Sequence, residues 1–201
     1  MRRAVLTLLA LALGCACGAE PDGAPVTLAP AESDSDRSEP VLLSPVPELE
    51  YATKRAVYRW NVASGCGEGS GCEVVLGEGG IPVAYADEIV SAKGTRAQAV
   101  TCRGDEGANV CTRGQVAVFV RRGNTEPERL VAHEVGHLRG GHHTETGVMW
   151  SADGMSAAEK AAIEAMPYRD LVERFAITRI DAASLHSVCE RQRCLGFTPE
   201  D

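Results

Sequence analysis

The sequence predicts an α+β fold built on a mixed sheet. Two observations point there: short β-branched segments bounded by glycine or charged turns fill residues 56–120, and helix-initiation signals dominate the chain beyond residue 120. Composition bounds the core. Of 201 residues, 44% are hydrophobic and 24% charged, as in an ordinary soluble domain, but only 4% are aromatic, so the interior must be packed from Ala, Val, Leu and Ile. The formal net charge of −8, with no basic stripe to offset it, argues against a nucleic-acid partner.

The first stretch lies outside that fold. "MRRAVLTLLALALGCAC" has Arg2 and Arg3, an apolar run from Ala4 to Leu13 and then small residues, the layout of a secretory signal over residues 1–14. The run is too short to span a bilayer as a mature helix. Its end, "ALGC", resembles the lipobox of bacterial lipoproteins, which implies lipidation at Cys15; Cys17, after "GCA", is a poorer match. Ala12 stands where such boxes favour Leu, and plain secretion remains the other reading. The stretch 19–48 holds six of the ten prolines and a Ser/Asp cluster. Residues 15–49 therefore read as an extended, unfolded linker that holds a domain off a membrane, or alternatively as a propeptide.

From residue 50 to residue 201 the chain is long enough for one sizeable core. "AVYRWNV" (56–62), "CEVVLG" (72–77), "IPVAYA" (81–86), "AQAVTC" (97–102) and "QVAVFV" (115–120) read as strands. "TEPERLVAHEVGHL" opens with a capping-box pattern, Thr125 to Glu128, and tolerates Pro127 in its first turn. "SAAEKAAIEAM" carries a second box, Ser156 to Glu159, and a third helix is expected over about 181–189. Beyond Cys15 and Cys17 there are six cysteines, an even number that in an exported chain reads as disulfides. They form three close pairs, predicting links 66–72, 102–111 and 189–194; a cysteine zinc site is the weaker rival because no CxxC pair occurs.

Four of the five histidines crowd into "HEVGHLRGGHH", residues 133–143. His133 and His137 are four apart on a predicted helix, so both imidazoles leave one face and can reach one metal ion. Glu134 sits beside them as a candidate general base. Gly140 and Gly141 end the helix and turn the chain so that His142 or His143 returns to the first two. Three imidazoles with a fourth position open to water describe a catalytic zinc site, where Zn2+ polarises a carbonyl and lowers the pKa of its water to about 7. Taken singly, each histidine is better explained as a surface or capping residue, and His186, outside the set, reads as a helix-surface histidine.

"HEVGHLRGGHH" followed by "TGVMW" resembles the metzincin metallopeptidases, and "GMSAAEKAAIEAM" after it is most similar to the matrixin group. The resemblance covers about 126–166. It implies His133, His137 and His143 as zinc ligands, Glu134 as general base, Gly140 at the turn, His142 outside the ligand set and Met149 as the apolar floor under the metal. The implied architecture is a mixed twisted sheet over a zinc-binding active-site helix, with a small C-terminal helical subdomain. Substrate would lie along an edge strand, with "AQAVTC" the edge, "QVAVFV" the strand leading to the helix, and Trp150 near a specificity pocket. Three departures stand out. Ser151 occupies the position where astacins carry a tyrosine, no cysteine-switch motif is present, and the tail from about Tyr168 has no counterpart in the family pattern.

The sequence thus reads as an exported zinc endopeptidase on a bacterial envelope or freely secreted. It is expected to act on proteins or peptides, as a monomer that touches a membrane only through a lipid anchor. The alternative is a non-catalytic binding or adhesion lipoprotein with structural zinc. The anchor is tested by fractionation: Cys15→Ala should move the protein from membranes to the soluble fraction with its activity intact. An unlipidated native N-terminus would leave plain secretion in its place.

Overall fold

The computed structural model describes residues 40–66, 73–92, 96–102 and 111–189. Five strands, β1 (Val41–Pro45), β2 (Val74–Leu76), β3 (Ile81–Tyr85), β4 (Ala97–Thr101) and β5 (Val116–Val120), form one sheet in the order β2-β1-β3-β5-β4. β1 is parallel to β2 and β3, and β3 to β5, while β4 runs antiparallel to β5 at one edge. The sheet is mixed and carries helices, as an α+β chain should. The helices are α1 (Glu50–Ala63), α2 (Asp87–Ala92), α3 (Pro127–Leu138), α4 (Ala157–Glu164), α5 (Tyr168–Phe175) and α6 (Ala182–Cys189). None of the helices among the described residues is long and apolar enough to cross a membrane.

Two sequence expectations are corrected here. Residues 56–62, read as a strand, belong to α1. Its buried positions, Ala52, Thr53, Ala56, Val57 and Trp60, recur every three to four residues, which is one face of a helix. A window of seven residues was too short to separate that period from alternation. The linker, read as reaching residue 49, ends earlier, because Val41–Pro45 forms β1 and Pro47–Leu49 a short 3-10 turn. The apolar run Val41-Leu42-Leu43 was hidden by the prolines around it. It lies between two parallel neighbours, and α1 provides the crossover that a parallel β1–β2 connection requires. The stretch read as a signal peptide, Cys15, Cys17 and the rest of the expected linker lie outside the described residues.

The remaining expectations divide. The strands at 72–77, 81–86, 97–102 and 115–120 are found as β2 to β5, and the helix at 181–189 as α6. Ser156 and Glu159 form a reciprocal capping box at the start of α4. The box read at Thr125 and Glu128 does not form: Glu126 is the N-cap of α3 and makes no side-chain cap. Pro127 sets where the helix starts, and Glu128 is engaged by α1, with Arg59 Nη1 at 3.0 Å and Arg55 Nε at 3.7 Å. Helices α2 and α5 had no sequence expectation. Cys102 is joined to Cys111, as predicted, and Cys66 is disulfide-bonded. Its expected partner Cys72, and Cys194 of the third pair, fall outside the described residues.

The sheet is buried on both faces. On one face Leu43, Val83, Val118 and Val120 pack with Val131 and Val135 of α3 and with Trp60 of α1. On the other, Ala117 and Phe119 pack with Val90 and Val100. Trp60 is fully buried and its indole N–H donates to Ala132 O at 2.7 Å, which ties α1 to the middle of α3. Trp60→Ala should lower stability by about 3–5 kcal/mol, the cost of emptying a buried aromatic site. Trp60→Phe should lose less, since it keeps most of the apolar volume and forfeits one hydrogen bond. Urea unfolding followed by circular dichroism measures both.

Candidate metal centre

Helix α3 supplies the first two histidines because its register leaves no alternative: residues four apart on a helix share a face. The third arrives through the turn that ends α3. Gly140 has φ +83° and its N–H donates to His137 O at 2.9 Å, while Gly141 N–H donates to Gly136 O at 2.8 Å. That pair of bonds is a Schellman ending, which needs a left-handed residue at Gly140. A Cβ on Gly141 would stand 2.8 Å from Gly136 O and 2.9 Å from Val188 Cγ2, so that position too admits only glycine without a shift.

The turn delivers His143 to His133 and His137. Their Nε2 atoms are 3.1 Å apart for 133–137, 3.1 Å for 137–143 and 3.3 Å for 133–143. The three residues form a group able to hold a metal ion. His142 is exposed and outside it, and His186 is exposed on α6.

Protonation decides what such a cluster is for. His133 Nδ1 lies 2.7 Å from Val148 O and His137 Nδ1 2.9 Å from Gly141 O. His143 Nδ1 lies 2.8 Å from Asp153 Oδ2. Carbonyl and carboxylate oxygens only accept, so each Nδ1 carries the proton and donates it. In the neutral ring, Nε2 is then a bare lone pair. Three lone pairs face one another with no proton between them, an arrangement that repels unless a cation sits at its centre. Protonating the cluster is opposed as well: burial, then the charge of His137, lowers the His133 pKa to about 3, and burial lowers that of His137. The spacing suits the cation. Ligand nitrogens at about 2.0–2.1 Å from a tetrahedral centre lie roughly 3.3 Å apart. The donor set therefore fits a metal ion that accepts imidazole.

Two further residues complete the site. Glu134 is buried, and its Oε2 accepts the Ala99 N–H of β4 at 2.7 Å. Desolvation raises its carboxyl pKa to about 7, against the opposing pull of that hydrogen bond. Met149 is fully buried against α3 at Gly136, where a Cβ would overlap its Sδ and stand 2.9 Å from Trp60 Cζ2. The methionine therefore needs a glycine between the two helix histidines. Trp150, expected near a specificity pocket, stacks on Phe175 with ring centroids 4.4 Å apart.

Several contributors had no sequence signal. Gly136 was an unassigned position of the motif, and the Ala99 N–H is a backbone group. The segment from Tyr168 onward holds the methionine turn: Gly147 N–H donates to Phe175 O at 2.7 Å and Val148 N–H to Arg179 O at 2.6 Å. Asp181 Oδ2 accepts from Thr146 Oγ1 at 2.6 Å and its Oδ1 accepts the Ser184 N–H at 2.9 Å. Partial burial opposes its ionisation, but the bonds from Thr146 and Ser184 outweigh that and hold its carboxyl below the usual range. Arg139, between His137 and the turn, is buried with its guanidinium over the Trp60 ring at 5.3 Å. Comparison with protein-family models, curated proteins and solved structures gives no match.

The ligand set is tested directly. His143→Ala should lower metal affinity by orders of magnitude, and His142→Ala should leave it unchanged, measured by competition with a chromophoric chelator. Equal effects would mean that the register of the third ligand is misassigned.

Proposed function

We propose that the chain is an exported zinc-dependent endopeptidase of metzincin-like design, most like the matrixins. The observation that carries the reading is the set of three Nε2 lone pairs converging on one point, with every Nδ1–H already committed. The pattern HExxHxxGxxH, the buried methionine at the turn and the sheet order with one antiparallel edge strand support it. His133, His137 and His143 would hold the zinc, which would supply Lewis-acid polarisation of a peptide carbonyl and of the attacking water.

The chain's own residues supply the rest. Glu134, one position from the first ligand, accepts the proton of the attacking water and passes it to the leaving amine. The Ala99 N–H keeps that carboxylate in one orientation. Edge strand β4 offers the substrate a backbone to pair with. In β4 the even-numbered residues bond to β5, as Cys102 N–H to Gln115 O and Arg121 N–H to Arg96 O demonstrate. By the alternation of an antiparallel ladder, the main-chain groups of Ala97 and Thr101 and the carbonyl of Ala99 point off the free edge, where the Ala99 N–H is already taken by Glu134. An extended peptide laid there adds a strand, with recognition coming mainly from backbone bonds. Such a site takes proteins or peptides rather than one small molecule. The lipobox-like "ALGC" supports an envelope-anchored location through Cys15, with free secretion as its alternative.

Glu134→Gln tests the mechanism, because it keeps the shape and all three ligands while removing the base. It should retain metal and its melting temperature and lose peptide cleavage by about 10²–10⁴-fold or more. Cleavage by the variant at the wild-type rate would rule out Glu134 as the base. A metal-loaded wild-type chain that cuts nothing in a proteome-derived peptide library would turn the reading to a non-catalytic binding lipoprotein.

A further inference from the structure

His133 and His137 are oriented by main-chain carbonyls, Val148 O and Gly141 O, which no substitution removes. His143 differs in two respects. Its side chain is 37% exposed, and its Nδ1–H is held by a side chain, the carboxylate of Asp153 at 2.8 Å. We propose that Asp153 is the positioning residue of the third metal ligand, and that its hydrogen bond to His143 sets how tightly the site holds its metal. The proposal rests on the metal-centre reading above.

The loop between the two residues is folded to bring them together. Thr144 N–H donates to Met149 O at 3.0 Å, and Thr144 and Trp150 form an isolated bridge, so the chain doubles back between His143 and Asp153. Asp153 sits in a turn of its own. Its N–H donates to Ser151 Oγ at 3.2 Å, Met155 N–H donates to Ala152 O at 3.2 Å, and Gly154 takes φ +80°. The capping box of α4 comes next, at Ser156. Ser151, where astacins carry a tyrosine, here supports the turn that presents the carboxylate.

The chemistry explains why a carboxylate suits this ligand. An acceptor on Nδ1–H keeps the neutral tautomer whose Nε2 can ligate, as the carbonyls do for the other two. A charged acceptor also raises the basicity of the ring and offsets the charge of a divalent cation. His143 needs this most, since it lies beyond the end of α3 and has solvent to swing into. Asp153 is itself 73% exposed at its side chain and has no part in the core, so its loss should act on the metal and spare the fold.

Metal-stripped full-length chain decides the matter, with zinc affinity measured by chelator competition and the visible spectrum of bound Co2+ reporting ligand geometry. Asp153→Ala should weaken zinc binding by about 10–100-fold, alter the Co2+ spectrum and leave the melting temperature of the metal-free chain unchanged. Asp153→Asn keeps an acceptor oxygen without the charge and should fall between wild type and alanine. In a His143→Ala background, Asp153→Ala should have no further effect. Wild-type affinity and spectrum in Asp153→Ala, or an equal loss in the His143→Ala background, would overturn the proposal. A wild-type chain that binds neither zinc nor cobalt would instead remove the metal-centre reading on which it rests.

Discussion

The absence of a side chain at Gly136 is the constraint on which the rest of the arrangement depends. Trp60 from α1 and Met149 from the turn both press against α3 at this position, where a Cβ would overlap one and crowd the other. Because Met149 can approach, Val148 lies where its carbonyl receives His133 Nδ1–H. Because Trp60 can approach, α1 packs across α3, and Arg59 reaches both Glu128 and the carbonyl of Thr178. The same glycine's carbonyl accepts the Gly141 N–H that closes the helix. Orientation of His133, docking of the neighbouring helix and delivery of His143 thus meet within one turn of α3.

The site was more legible in the sequence than the fold around it. The placement of side chains on a helix depends on spacing that is local and discrete, so the nearness of His133 and His137 could be read from position alone. The choice between His142 and His143 needed the length of the turn after Gly140, which the family-like pattern supplied. The fold depends on contrasts that short windows blur. Residues 56–62 satisfied a strand pattern and turned out to be the middle of α1, whose period shows only over the fourteen residues Glu50–Ala63. Val41–Leu43 sat in proline-rich surroundings and became an interior parallel strand. Partners remote in sequence carried no signal at all. Nothing near Ala99 announces that its N–H will meet Glu134, because that contact arises only when β4 and α3 close on each other.

Electrostatics and packing act in the same direction at the centre. Burial keeps His133 and His137 uncharged, and the oxygen acceptors choose the tautomer that leaves Nε2 free. A protonated cluster would be costly, and an unprotonated one without a cation leaves lone pairs opposed. Arg139, buried nearby, is held apart from this centre by stacking over Trp60 and by donating to Ser64 Oγ at 3.2 Å.

The clamp on the methionine turn has a consequence for what a shortened chain would lose. The carbonyl that orients His133 belongs to Val148, and Val148 is held by Arg179, with Gly147 held by Phe175 and Asp181 anchoring Thr146. Gly141, whose carbonyl orients His137, packs against Val188 near the end of the last described helix. Contacts between such distant positions close long loops, which costs chain entropy that local contacts do not. A chain cut after residue 160 would therefore keep all three clustered histidines and lose the contacts that hold the carbonyl partners of two of them. The orientation of His133 and His137 thus depends on α5, on the segment after it and on α6.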